Sequence, residues 1–109
     1  MTDKELAEKV AEKLRGAIGP SFGNGLVLII KQPVNIYCHP VFSWPTFGQM
    51  VEKAEEMGWK INWVADNISF SKNDGEFLAT SQYLTVEKSS DSPIKACALA
   101  FLEIFENET

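Results

Sequence analysis

The stretch from Ser92 to Phe105 constrains the fold more than any other part of the chain. Serine followed by proline opens a helix: a hydroxyl at the cap, then a proline at the first helical position, where its missing N–H costs nothing. Ile94, Cys97, Ala98, Phe101, Leu102 and Phe105 follow at intervals of three and four, which is one stripe of an α-helix. Leu99, Ala100 and Ile104 widen that stripe until Lys95 and Glu103 are almost its only polar interruptions. A helix this apolar cannot lie in water, so most of it must be buried against a sheet.

A chain of 109 residues reads as one domain spanning 1–109, long enough for a single core without staples. Its 45% hydrophobic and 23% charged residues are globular composition rather than disorder. The longest apolar run, Leu26 to Ile30, falls far short of the ~18 residues of a membrane span. The start, Thr2-Asp3-Lys4-Glu5, has no apolar targeting core, so the expected location is the cytoplasm. Cys38 and Cys97 lie in apolar contexts and read as reduced packing residues rather than a bridge. The net charge of −5, with nine lysines and one arginine, Arg15, argues against duplex nucleic acid, whose binders need a basic face. It leaves room for a protein partner, or for a small ligand held by aromatic and backbone groups.

Thr2 and Glu5 have capping-box spacing, and Leu6, Val10 and Leu14 recur at every fourth position, predicting a first helix over 2–15 with a thin apolar stripe that packs peripherally. Gly16 is its stop. The glycines and proline of 19–25 predict a flexible connection, read either as a plain surface loop or as a lid carrying Phe22. Leu26 to Ile30 predicts a strand buried on both faces. A second extended segment, Val34 to His39, sets Ile36 and Cys38 against Asn35 and Tyr37. Ser43 or Thr46 caps a second helix with Phe47, Met50, Val51, Ala54 and Met57 on its apolar side, closed by Gly58. From Trp59 the period becomes two: Trp59, Ile61 and Trp63 point one way, Lys60 and Asn62 the other. Asp66-Asn67 and Asn73-Asp74-Gly75 are turn signals; 68–71 continues as a partner strand, and 77–81 with 83–87 reads as a third strand with an irregularity near Gln82, or as two short ones, before the final helix. The predicted order is α-β-β-α-β-β-β-α, without internal repeats. It gives an α+β domain whose central, mostly antiparallel sheet is covered by helices, layered α/β/α if they take both faces.

Catalytic signals are missing. No C-x-x-C, H-x-x-H or H-E-x-x-H spacing accompanies the single histidine, His39, so neither a metal nor another cofactor is implied. The glycines at 16, 19, 23 and 25 match neither phosphate-loop pattern. Cys97 and His39 would meet as nucleophile and base only if the fold brought them together, and a thiol on so apolar a helix stays protonated. What remains is aromatic: Tyr37, His39, Phe42 and Trp44 within eight residues, with Trp63 on the strand after the next helix. These rings with Lys31 form a candidate site for a planar, nucleotide-like ligand. The bland alternative is that Phe42 and Trp44 seal one end of the core.

Two resemblances attach to these segments. Helix, three-stranded meander and helix over Thr46 to Phe105 resembles the layout of a double-stranded RNA-binding domain. That family's last helix opens with lysines, whereas here Ser92-Pro93-Ile94-Lys95-Ala96-Cys97 puts apolar residues at those places. The topology is similar and the binding chemistry is missing. The second resemblance is to the phage ABA sandwich domain family. Glu5 to Lys13 is similar to its opening helix. Phe42-Ser43-Trp44-Pro45-Thr46 running into Val51-Glu52-Lys53-Ala54 is similar to its second helix. Pro93-Ile94-Lys95-Ala96-Cys97-Ala98-Leu99-Ala100 resembles its closing helix. About half the chain is involved, and 19–40 has no counterpart. The resemblance implies a sheet between helical layers and a phage or prophage origin, hence the host cytoplasm; it carries no activity. The expected function is that of a non-enzymatic phage accessory protein that sequesters a small host nucleotide signal or blocks a host defence protein. RNA binding and a small enzyme using Cys97 or His39 are the alternatives. Unpaired strand edges make a homodimer a further expectation.

Overall fold

The computed structural model describes residues 2–20, 26–64, 67–72, 78–82 and 92–108. The Phe22 loop, the Asn73-Asp74-Gly75 turn and the 83–87 segment lie outside them. The elements are α1 (Asp3–Lys13), β1 (Ala17–Pro20), β2 (Leu26–Lys31), β3 (Ile36–Pro40), α2 (Trp44–Glu56), β4 (Trp59–Val64), β5 (Asn67–Lys72), β6 (Leu78–Gln82) and α3 (Pro93–Glu108). This is an α+β fold of three helices packed on antiparallel sheet, as the sequence predicts. The sheet is divided in two, β1-β2-β3 and β4-β5-β6. β1 is a strand that the reading of 19–25 as a connection did not foresee; its edge position accommodates Pro20, which cannot donate to a ladder.

The order of elements repeats although the sequence does not. A helix followed by a three-stranded antiparallel meander occurs as α1-β1-β2-β3 and again as α2-β4-β5-β6, and α3 closes the domain. Both leading helices end on a left-handed residue, Arg15 at φ 58° and Gly58 at φ 91°. α1 lies on β1 and β2, α2 touches both β3 and β4, and α3 packs on β5, β6, α1 and α2.

The C-terminal helix is as buried as its composition demands. Ile94, Ala96, Cys97, Ala98, Ala100, Phe101, Leu102 and Ile104 are in the core, with Trp59, Ile68 and Phe70 of the second sheet. Each large side chain among them contributes roughly 1.5–3 kcal/mol by leaving water. The Ser92 hydroxyl accepts from the N–H groups of Ile94 (3.2 Å) and Lys95 (3.4 Å), the expected cap. The capping box of α1 is also present, with Glu5 N–H donating to Thr2 Oγ1 at 3.2 Å.

Three expectations are corrected. α1 is not peripheral: Leu6, Ala7, Val10, Ala11 and Leu14 are all buried, because the two alanines let the helix approach β1, β2 and α3 closely. β2 is not buried on both faces, since only Leu28 is fully covered. Finally, Cys38 is exposed. It pairs opposite Ile29, and Tyr37 opposite Ile30, so it is Tyr37 that faces the core side and Ile36 and Cys38 that face outward.

Candidate functional site

The residues that link β3 to α2 determine where the aromatic side chains go. Pro40 ends β3, and its carbonyl accepts from both Ser43 Oγ (2.6 Å) and Thr46 Oγ1 (2.9 Å). Ser43 is the N-cap of α2 by backbone conformation, but its hydroxyl is spent on Pro40 rather than on the helix. Thr46 is fully buried. With its own proton given to Pro40, it accepts from the Tyr37 hydroxyl at 2.8 Å. Burial raises the Tyr37 pKa. This small network ties β3 to the first turn of α2 and sets Trp44 at the surface.

Trp44 is stacked on Trp63 of β4, with ring centroids 5.8 Å apart and an angle of 28° between planes. Phe47 completes a triangle, 5.3 Å from Trp44 and 5.7 Å from Trp63. Trp44 is 55% exposed and Trp63 45%, so the group is a platform at the surface rather than a lined cavity. Of the predicted set, the fold thus joins Trp44 and Trp63 and adds Phe47, which the sequence presents as one more helical core position. The signal that could have found it is its three-residue spacing from Trp44, which places both rings on one side of α2.

The other predicted residues are dispersed. Tyr37 and His39 form their own pair, 4.7 Å apart and tilted by 58°. Phe42 is half-buried against the core, with Lys95 Nζ 5.3 Å from its ring, so the core-sealing alternative holds for Phe42. Lys31 is opposite Ile36 in the ladder. It therefore stands on the other face of the sheet from Tyr37 and His39, and does not join their rings.

No known protein family, curated protein or solved structure matches this chain. The arrangement of its own side chains is therefore what bears on function. Cys97 is fully buried, and burial pushes its thiol up to about 12, so at neutral pH it is neither thiolate nor reachable. His39 is exposed on β3, away from that interior position. At the start of α3, Ile94 and Ala96 are core residues, and Lys95 is bound to Asp3 at 2.9 Å; the second half has the helix–meander–helix order, and the described residues at the start of its last helix form no cationic ridge. Among the described residues no group of three His, Cys, Asp or Glu side chains is placed to hold a metal ion. A cleft of about 250 Å³ runs between the end of α1, the end of β2 and one flank of α2, with Arg15, Gln32, Gln49, Glu52 and Lys53 on its walls. Its walls carry both cations and carboxylates, so it has no single-sign field that would select a ligand of either charge. No helix among the described residues is long and apolar enough to cross a membrane.

Proposed function

We propose that this chain is a non-enzymatic binding protein of the phage accessory type, and that Trp44, Phe47 and Trp63 form its contact with a host protein. The observation that carries the reading is the two tryptophans stacked on one another while about half exposed. Tryptophan is the residue type most enriched at energetic centres of protein interfaces, because it buries a large rigid area at low entropic cost. A soluble domain with no use for such a surface would be expected to cover it. The phage setting, and with it the host cytoplasm, is part of the same proposal and rests on the sequence resemblance of the helices alone.

Sequestration of a nucleotide-like ligand is the second reading, favoured by the stacked rings, onto which a base could add. It is the weaker one here: the rings already satisfy each other, and Lys31 is turned to the far face of its sheet. Affinity capture with the wild-type chain beside Trp44→Ala and Trp63→Ala tests the proposal. The expected result is a host protein retained by the wild type and lost with either variant. Tryptophan fluorescence titrated with cyclic and ADP-ribose-type nucleotides should stay flat. Saturable quenching that Trp44→Ala abolishes would instead establish the ligand reading. Capture profiles identical for wild type and both variants would refute the protein reading.

A further inference from the structure

β3 is the last strand of the first sheet, and among the described residues no strand pairs with its far side. The ladder dictates which backbone groups lie there. Gln32 N–H donates to the Asn35 carbonyl and Val41 N–H to the Leu26 carbonyl, both at 2.9 Å. The positions of this segment bonded to β2 are therefore 35, 37, 39 and 41, and in an antiparallel ladder the residues between them turn their N–H and C=O the other way. Ile36 and Cys38 present both groups to the open side. Pro40 adds none, having no N–H and a carbonyl already bonded to Ser43 and Thr46. The side chains of Ile36 and Cys38 stand on the outer face beside Val27 and Ile29. Ile36 is 64% exposed, and Val34 at the hairpin tip 94%. Edges are ordinarily guarded by lysines, bulges or prolines within the strand. β1, at the other edge of this sheet, is four residues long and ends in proline. β3 has no formally charged side chain, and its proline comes last.

We infer that this edge is a homodimer contact, in which a second copy of the chain adds its own β3 antiparallel across a two-fold axis to make one continuous six-stranded sheet. The edge is complementary to itself. With Tyr37 opposite its counterpart on the axis, Ile36 of each copy faces Cys38 of the other, and the free N–H and C=O groups of those residues close four hydrogen bonds with none left over. Charge selects the same partner. The chain carries −5, yet no Asp or Glu occurs between Glu12 and Glu52, so all three strands of the first sheet are free of carboxylates. Two copies of an acidic protein repel on most approaches; the strands that meet edge to edge at β3 themselves carry no carboxylate. An acidic partner protein would want cations, and Lys31 is the one cationic side chain on these three strands. A five-residue edge buries less than the ~1,200 Å² of a standard interface, so the dimer belongs to the transient class and is populated by concentration.

Sedimentation of the full chain from about 1 µM to about 1 mM tests this, that span covering the affinities of weak association. The expected mass climbs from one copy toward two, while Ile36→Lys, a surface change that leaves the thermal melt in place, stays at one copy throughout. The register is read with Ile36→Cys, which sets a thiol opposite Cys38 of the second copy at a Cα spacing of about 5.5 Å, within disulfide reach. Mild oxidation should trap a covalent dimer, and adding Cys38→Ala should abolish it. A single mass at every concentration would overturn the inference. So would a dimer that Ile36→Lys leaves intact, or one that Trp44→Ala removes instead, or cross-linking that survives Cys38→Ala.

Discussion

Replacing Arg15 by glycine should stabilise this protein, and replacing the glycine next to it should do the reverse. α1 ends in a Schellman-type turn: Gly16 N–H donates to the Ala11 carbonyl at 2.7 Å and Arg15 N–H to that of Glu12 at 3.1 Å. The left-handed residue of that turn is usually glycine, and here it is Arg15 at φ 58°. A left-handed conformation costs a side-chain-bearing residue about 1–2 kcal/mol. Glycine would remove that cost while losing about 0.5–1 kcal/mol to its more flexible unfolded chain. The net gain for Arg15→Gly is about 0.5–1 kcal/mol, or about 2–6 °C in Tm for a domain of this size. The glycine is needed one residue later. A Cβ on Gly16 would lie 2.7 Å from the Ile29 carbonyl oxygen and 2.9 Å from side-chain carbons of Leu28 and Ile30. Backbone of a central strand cannot give way cheaply, so Gly16→Ala should cost about 1–3 kcal/mol as overpacking does. Arg15→Ala is the control, since it removes the exposed side chain and keeps the strain; it should fall within about 0.5 kcal/mol of wild type. Urea denaturation of the three variants with a common slope reads all these values. A neutral or destabilising Arg15→Gly would refute strain at Arg15, and a Gly16→Ala variant that melts with the wild type would refute crowding at Gly16.

Cys97 has a folded pKa raised by burial from 9.0 to about 12, so the folded state holds its thiol proton more tightly than the unfolded state. Its contribution to stability is fully present below pH 9 and is lost as pH climbs toward 12, by roughly 4 kcal/mol over those three pH units; Cys97→Ala should flatten this alkaline limb, and a limb of unchanged steepness would count against the assignment. With a thiol reagent at pH 8 the native protein should show one fast site, Cys38, and a second only on unfolding. Thr46→Val keeps the shape of a fully buried residue but strands the Tyr37 hydroxyl and one bond to the Pro40 carbonyl, and should cost about 1–3 kcal/mol; Tyr37→Phe in that background should recover part of the loss. A Thr46→Val variant as stable as wild type would mean that water serves those groups equally well.

Much of the fold is legible without coordinates, because it rests on local pattern. The apolar run of α3 left it no place but the interior, and its Ser92-Pro93 opening marks its start. The Thr2–Glu5 pair marks the start of α1, and the change of period at Trp59 marks the second meander. What escapes is whatever depends on which neighbour a residue meets. Alternation in 34–39 separates Ile36 and Cys38 from Tyr37, but either set could face inward; the Tyr37–Thr46 bond and the ladder to β2 chose Tyr37. β1 is hidden because glycine and proline read as loop, and only an edge position makes them tolerable in a strand. α1 looked thin because alanines contribute little area, yet their smallness is what lets it approach the sheet. Trp44 and Trp63 are 19 positions apart in the sequence, and nothing local says that they stack. Periodicity determines which face of an element is apolar at the cost of only a few residues of information. Which apolar face is covered, and by what, is settled by packing among elements distant in the chain, and that is a property of the tertiary structure alone.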